Sequence, residues 1–345
     1  MAVIKQRGFS LVELMVSILL GLILLAGVLS IFFSSKVTYF TNEKTSRLQE
    51  NGRVALDFVT HDIRSSGYQG CARGLQFNST LNNAATLLWS YVFPVQGFES
   101  DGAGGYTPAL GIVLDPAPLP DSDVIVTRAA MRDGRAMRME TNLASLNSPV
   151  TVLNANPAPV AAGTIMMISD CNAVSVFQAS GWMAGAPNGQ ILHAIGGADP
   201  GNATDDLGYL YEAGARVAPL QTVIYYVAND PVSGDPGLFR QVGATQPAEL
   251  LIEGVQALQI AYAEDTNGDR IANGWGTADT VGNWNNIISV SLAVLIRSDQ
   301  SGTTTDANTY QLLTAALGGV TLGPYNDRRQ RMVFTTTVAL RNRAW

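Results

Sequence analysis

An apolar run from Phe9 to about Phe33, broken by a single carboxylate at Glu13, limits this chain more than any other feature of its sequence. About 20 apolar residues cross the hydrocarbon core of a bilayer as a helix, so the run is long enough to span it. A charge at the bilayer centre costs roughly 2.5–3.5 kcal/mol on insertion scales, and such charges usually mark function. The run follows a short leader, Met1 to Gly8, whose cations are Lys5 and Arg7. These hold the N-terminus on the cytoplasmic side and send the C-terminal bulk across. A secretory signal peptide has a shorter apolar region with the small-residue cleavage site behind it; here the small residue, Gly8, comes first. A plain anchor fits the length, but neither reading accounts for Glu13.

The first proline is Pro94, so a helix begun in the apolar run can continue well past it. Leu48, Gly52, Ala55, Leu56, Val59 and Ile63 recur at helical spacing, with Glu50, Arg53, Asp57 and Asp62 between them. That pattern predicts an amphipathic second half laid on a globular body. From Phe9 to about Ser66 the helix is ~85 Å long. Gly21, Gly27 and Gly52 are soft points costing about 1 kcal/mol each relative to Ala, or, in the membrane half, places where helices approach closely. Gly67 supplies the stop.

Beyond Gly67 the periodicity turns to short β-branched runs between turn residues. Strands are expected at 111–114, 123–128, 164–169, 174–179, 222–228, 238–242, 255–263, 287–297 and 332–341. The stretches 94–109, 180–206 and 298–310, poor in bulky apolar residues, read as surface loops. With 34 glycines and only 14% charged residues, the composition suits a loop-rich β body. The expected class is α+β: one long N-terminal helix, its first half transmembrane, packed on a mainly antiparallel sheet domain. A net charge of −7 argues against a nucleic-acid partner.

The string Lys-Gln-Arg-Gly-Phe-Ser-Leu-Val-Glu-Leu, residues 5–14, resembles the processing and methylation motif of type IV pilins and pseudopilins. The resemblance implies cleavage after Gly8 by a prepilin peptidase and methylation of the new amine on Phe9. It also makes Glu13 the assembly contact, paired with the N-terminal amine of a neighbouring subunit. A second set of strings resembles the PilW family of minor pilins: residues 64–71 (Arg-Ser-Ser-Gly-Tyr-Gln-Gly-Cys), 121–127, 169–171, 253–262 and 265–269, Trp284, and Thr-Val-Ala-Leu-Arg-Asn ending at 342. Ser65-Ser66 departs slightly, where a small residue such as Ala is expected before Gly67. This likeness implies a pilin-like fold in four parts: leader 1–8, transmembrane and filament-core helix 9–35, amphipathic helix 36–66, and periplasmic β-rich domain 67–345. It implies a non-enzymatic minor pilin that helps initiate assembly near the filament tip. The chain would pass from the inner membrane, N-terminus cytoplasmic, to the extracellular pilus. Its partners would be the peptidase, the major pilin and other minor pilins, a tip adhesin, the inner-membrane assembly platform, and membrane lipid through residues 9–35. Alternatives are a J-type minor pseudopilin of type II secretion and a membrane-tethered periplasmic binding protein or hydrolase.

In the oxidising compartment this reading implies, the only cysteines, Cys71 and Cys171, are expected to form a disulfide. Asp265, Asn267 and Asp269 resemble the first half of a calcium loop. Arg270 stands where an EF-hand has Gly, however, and Gly276 where it has the bidentate Glu. The alternative is an acidic turn between two strands. His61 and His193 lie about 130 residues apart with no nucleophile motif beside them, so they read as structural. The Gly-rich strings 102–106 and 318–323 lack a P-loop Lys. Asp205-Asp206 reads as solvated loop, the Arg-rich tail (Arg328, Arg329, Arg331, Arg341, Arg343) as no nucleic-acid patch, and Trp182, Trp275 and Trp284 as packing residues.

Overall fold

A computed structural model describes residues 8, 10–68, 70, 76–131, 136–153, 160–185, 188–244, 246–299 and 307–342. The chain divides into two compact units, Met1–Glu50 and Asn51–Trp345. One uninterrupted helix, Leu11–Ser65, runs from the first into the second.

In the first unit the helix exposes its large apolar side chains from Leu11 through Phe40. Its most apolar 18-residue window reaches a mean hydropathy of 2.8. Ser17, Thr38, Thr41 and Thr45 each return a hydroxyl to the carbonyl four residues back, which satisfies these groups without leaving the helix.

In the second unit the helix turns amphipathic, as its spacing predicts. Ala55, Val59 and Ile63 are fully buried while Arg53, Asp57, His61 and Arg64 face outward. The helix stops at Ser65, and Gly67 follows at φ +69°, a left-handed position that favours Gly after a helix end. Asn342, near the other end of the chain, donates its side-chain N–H to the carbonyls of Ser65 and Ser66 at 3.4 and 3.0 Å. Those carbonyls have no partner within the helix.

Among the described residues the body holds two main sheets and two small ones. The largest has ten strands and is organised around Arg216–Asn229. The first half of this strand pairs with Ile165–Ser169, its middle with Val124–Ala130 and its last half with Pro236–Val242, all antiparallel. Gln76–Ser79 joins Ala173–Gln178 in parallel. The second main sheet runs Gly274–Gly276, Val255–Glu264, Ile287–Arg297, Arg331–Ala339. One face of it is covered by the hairpin of Asn308–Leu312 with Val320–Tyr325, through Leu312, Leu317, Val320 and Leu322 against Ala257, Ala293 and Leu295.

Several expectations need correction. No strand forms at 111–114: Gly111 sits at φ +68° and Val113 is 93% exposed, while Pro116 and Pro118 close behind cannot donate to a ladder. The supposed loop 94–109 contains Val95–Ser100, a largely buried strand beside Val124–Ala130. The supposed loop 180–206 contains the hairpin Gly181–Ala184 with Asn188–Leu192, and Asn308 already begins a strand. The strand expected at 222–228 starts six residues earlier and runs through Pro219.

Candidate functional site

The processing motif lies at the start of the first unit. Phe9 is outside the described residues. Gly8 is exposed, and a Cβ built there meets nothing within 4 Å. The same holds at Gly21 and Gly27. Among the described residues, packing therefore gives no reason for glycine at these three positions. Gly52 is the opposite case: a Cβ there would run into the ring of Phe334 on the Arg331–Ala339 strand. The sequence reading of Gly52 as a soft point misses this; it is where the helix backbone rests on an aromatic face. Glu13 lies exposed in the first turn of the helix, where a carboxylate also complements the positive end of the helix dipole.

The helix segment 51–66 is tied to both main sheets. Asn51 donates to the Glu253 carbonyl at 3.3 Å, and Gly52 meets Phe334. Asp62 accepts from the Tyr225 hydroxyl at 2.8 Å. Burial pushes the Asp62 carboxyl above its usual range, against the opposing pull of the Tyr225 hydrogen bond and the Arg240 charge. Just past the helix, Gly67 N–H donates to the Arg128 carbonyl at 3.0 Å, and Arg216 stacks its guanidinium 4.9 Å over the Tyr68 ring.

Arg128 carries no signal in the sequence. It is 2% exposed and donates to the carbonyls of Leu87 and Phe93 at 2.6 and 3.0 Å and to Gln96 at 3.1 Å. Desolvation lowers its pKa to about 10. A buried cation held by carbonyl oxygens fixes the 87–96 segment to the Val124–Ala130 strand.

Strings far apart in sequence are joined in space. Ser122 Oγ accepts from Leu258 N–H at 3.0 Å, Asp123 Oδ2 from Ile260 N–H at 2.9 Å, and Gln259 donates to the Asp121 carbonyl at 3.2 Å. The 121–127 and 253–262 strings are thus the fastening between the two main sheets. Asn342 reaches the 64–68 string, and a Cβ on Gly70 would press on Ser169 Oγ at 2.7 Å. Cys171 is disulfide-bonded, in the turn between Ile165–Ser169 and Ala173–Gln178. Cys71 lies outside the described residues.

In the acidic turn, Asp265 accepts from Gly268 N–H at 2.7 Å and Arg270 N–H at 2.8 Å. Asn267 accepts from Asp269 N–H at 3.1 Å, and Asp269 from Ile271 N–H at 2.8 Å. A cation here would have to compete with the loop's own amides. Among the described residues no group of three or more His, Cys, Asp or Glu is placed to hold a metal. A cavity of about 330 Å³ lies next to this turn, lined by Tyr262, Glu264, Asn273, Trp275 and Thr280 among others.

The remaining candidates have structural partners. His193 is buried, bonded to the Ser148 carbonyl at 2.9 Å and set against Phe177; His61 faces outward on the helix. Gly102–Gly105 forms a turn whose amides Asp101 accepts, Gly318 closes a short 3-10 turn, and Asp206 accepts from Gly208 N–H. Arg331 pairs with Asp327 at 2.6 Å and lies over the Tyr325 ring, and Arg329 donates to the carbonyls of Ser298 and Asp299. Arg328 sits at a left-handed φ of 57° and Arg341 is exposed, while Arg343 is outside the described residues. Trp182 covers Gly189, and Trp284 meets Tyr262 edge to face at 4.9 Å.

A spanning-length apolar helix with a single carboxylate in its first turn, continuing into a β-rich body, defines a pilin-like protein. Residues 4–29 match the Prokaryotic N-terminal methylation motif, and residues 224–342 match the family described as Type IV Pilus-assembly protein W. These two matches, over the N-terminal motif and the last third of the chain, support a PilW-family type IV minor pilin. No curated protein matches the sequence. Among solved structures, a type IV-like pilin from Thermus thermophilus is similar over 86% of this chain and 99% of that one, at 11% identity and a TM-score of 0.34; at that distance the likeness carries no argument.

Proposed function

We propose that this minor pilin helps to initiate type IV pilus assembly and sits at or near the filament tip, after cleavage behind Gly8 and N-methylation of Phe9. The observation that carries this reading is the first unit: an unbroken helix with exposed apolar side chains, one carboxylate in its first turn, and glycines that its own packing does not require. Such a surface is stable in lipid or against other helices of its kind. An unpaired carboxylate is costly in either place, and cleavage before Phe9 frees the cationic amine that a neighbouring Glu13 needs. Partner pilins, a tip adhesin and the assembly platform follow from the same reading, as does passage from the inner membrane to the pilus. A Cys71–Cys171 bond would tie the segment after the helix to the large sheet, and two titratable thiols in the non-reduced protein would refute it.

The test is Glu13→Ala in the full-length chain. Membrane insertion is expected to persist while co-purification with the other pilins and piliation fall. Normal piliation with normal co-purification would sink the proposal. Replacing Gly8 with a bulky residue is expected to leave a slower-migrating, unmethylated product.

A further inference from the structure

Near the junction of the two main sheets, two carboxylates stand at facing register positions, one buried and one half-buried. Strand Val95–Ser100 pairs with Val124–Ala130 up to Phe98 opposite Val124. One step further along that register lie Glu99 and Asp123. Like charges directly opposite on paired strands destabilise a sheet. Here the cost is raised because Asp123 is only 1% exposed and Glu99 is half-buried.

Both carboxylates are structural fastenings. Asp123 accepts from Ser100 N–H at 3.2 Å and, across the junction, from Ile260 N–H at 2.9 Å. Glu99 Oε2 accepts a longer bond, 3.4 Å, from Ala278 N–H, which ties the large sheet to the 277–280 turn. Among the described residues, the other titratable groups facing the pair add no positive charge: Asp279 from the turn, Tyr106 from the neighbouring strand, and Tyr262 from Val255–Glu264. The Tyr262 hydroxyl is an independent sign of an unfinished proton arrangement. It is fully buried and, among the described residues, has no hydrogen-bond partner, and it feels the charge of both carboxylates.

We propose that Glu99 and Asp123 share one proton and act as a pH-sensitive fastening between the sheets, closed while the proton is held and loosened when it leaves. Asp123 accepts two amide N–H donors, which favour its charged form against the opposing effect of burial, so we place the negative charge on Asp123 and the proton on Glu99. On deprotonation Glu99, with the longer bond and the more exposed position, gives way and releases the 277–280 turn. In support, burial pushes both groups up, Glu99 to about 7; the Ala278 hydrogen bond opposes the rise at Glu99 and the Asp279 charge adds to it, while at Asp123 the Glu99 charge adds to burial and the Ser100 and Ile260 bonds oppose it. A group whose folded pKa is raised contributes stability that is complete below its unfolded value, near 4.5, and is lost as pH rises through the folded value. The loss therefore falls mainly between about pH 4.5 and pH 7.

The test uses the full chain in detergent micelles, comparing wild type with Glu99→Gln. Gln keeps an oxygen for Ala278 N–H and carries no charge. Wild-type Tm is expected to fall by several degrees from pH 5 to pH 8, while the Gln variant falls less and melts higher than wild type at pH 8. In wild type alone, hydrogen exchange in peptides spanning Ala278, corrected for intrinsic rates, should accelerate over the same interval. Parallel Tm curves, a variant that melts below wild type at pH 8, or pH-independent protection at Ala278 in wild type would each overturn the proposal.

Discussion

The Tyr225 hydroxyl reaches from the central strand of the large sheet to Asp62 of the helix, a 2.8 Å bond between residues 163 positions apart. It places a half-buried carboxylate at the seam where the helix meets its body. Tyr225→Phe removes the donor without opening much space. A lost hydrogen bond to a charged group costs about 1.5–3 kcal/mol, and denaturant melts of the full chain should show a deficit near the low end of that range. Burial already raises the Asp62 carboxyl, and the Tyr225 bond opposes that rise. The variant should therefore lose more stability than wild type as pH climbs from Asp62's unfolded value of 3.8 toward neutrality. Below that value the carboxyl is protonated in both proteins and the two curves should approach each other.

Gly52 and Phe334 make a second seam, and here the expected sign runs against helix propensity. Ala is favoured over Gly inside a helix by about 1 kcal/mol. A methyl group at position 52 would strike the Phe334 ring, and overpacking typically costs about 1–3 kcal/mol. Gly52→Ala should lower Tm, and Phe334→Leu in the same chain should recover part of the loss, giving a favourable coupling in a double-mutant cycle. Gly21→Ala and Gly27→Ala meet nothing and should leave Tm unchanged or slightly raised.

The contrast among these glycines shows what the sequence could express. The helix, its amphipathic switch and its end at Gly67 were legible because each is written locally, as a 3.6-residue period or a stop residue. Glu13 was legible because it violates the pattern around it. The strands 287–297 and 255–264 were legible as long β-branched runs. The Val95–Ser100 strand was not, since Gln-Gly-Phe-Glu-Ser carries the composition of a loop. Its burial comes from pairing with Val124–Ala130 and from Tyr262 lying over Gly97. Pro219 disguised the first half of the central strand. The partners of Asp62, Arg128 and Asp123 lie on other elements, so no local window could mark them. The family strings 121–127 and 253–262 were visible separately, but only the fold shows that they bond to each other.

Arg128 holds the 87–96 segment through three acceptors. Arg128→Met fills similar volume but leaves the Leu87 and Phe93 carbonyls without this donor in a buried site. Each orphaned group costs about 1–3 kcal/mol, so a total loss of roughly 3 kcal/mol is expected. Arg128→Lys, with one ammonium in place of a planar fork, should recover part of it. Urea titration of the full chain measures both, and a Met variant as stable as wild type would show that water replaces the guanidinium without loss.

Asp327 tests the opposite pH direction. Its hydrogen bonds with Arg331, at 2.6 and 2.7 Å, hold its carboxyl down at about 2. The Arg331 guanidinium is itself pinned over the Tyr325 ring at 4.0 Å. A group with a depressed folded pKa contributes stability that is present above its unfolded value, 3.8 here, and is lost as pH falls through the folded value. Asp327 is partly exposed, so solvent screens the pair and the effect is modest. Asp327→Asn should melt below wild type at pH 6, and the gap should close between pH 4 and pH 2 as the wild-type carboxylate takes up its proton. Because the Glu99–Asp123 pair gains stability on acidification while Asp327 loses it, a Glu99→Gln background isolates the Asp327 contribution. A gap in that background that stays constant across the whole acid range would mean that the substitution acts through lost packing against Arg331 rather than through lost charge.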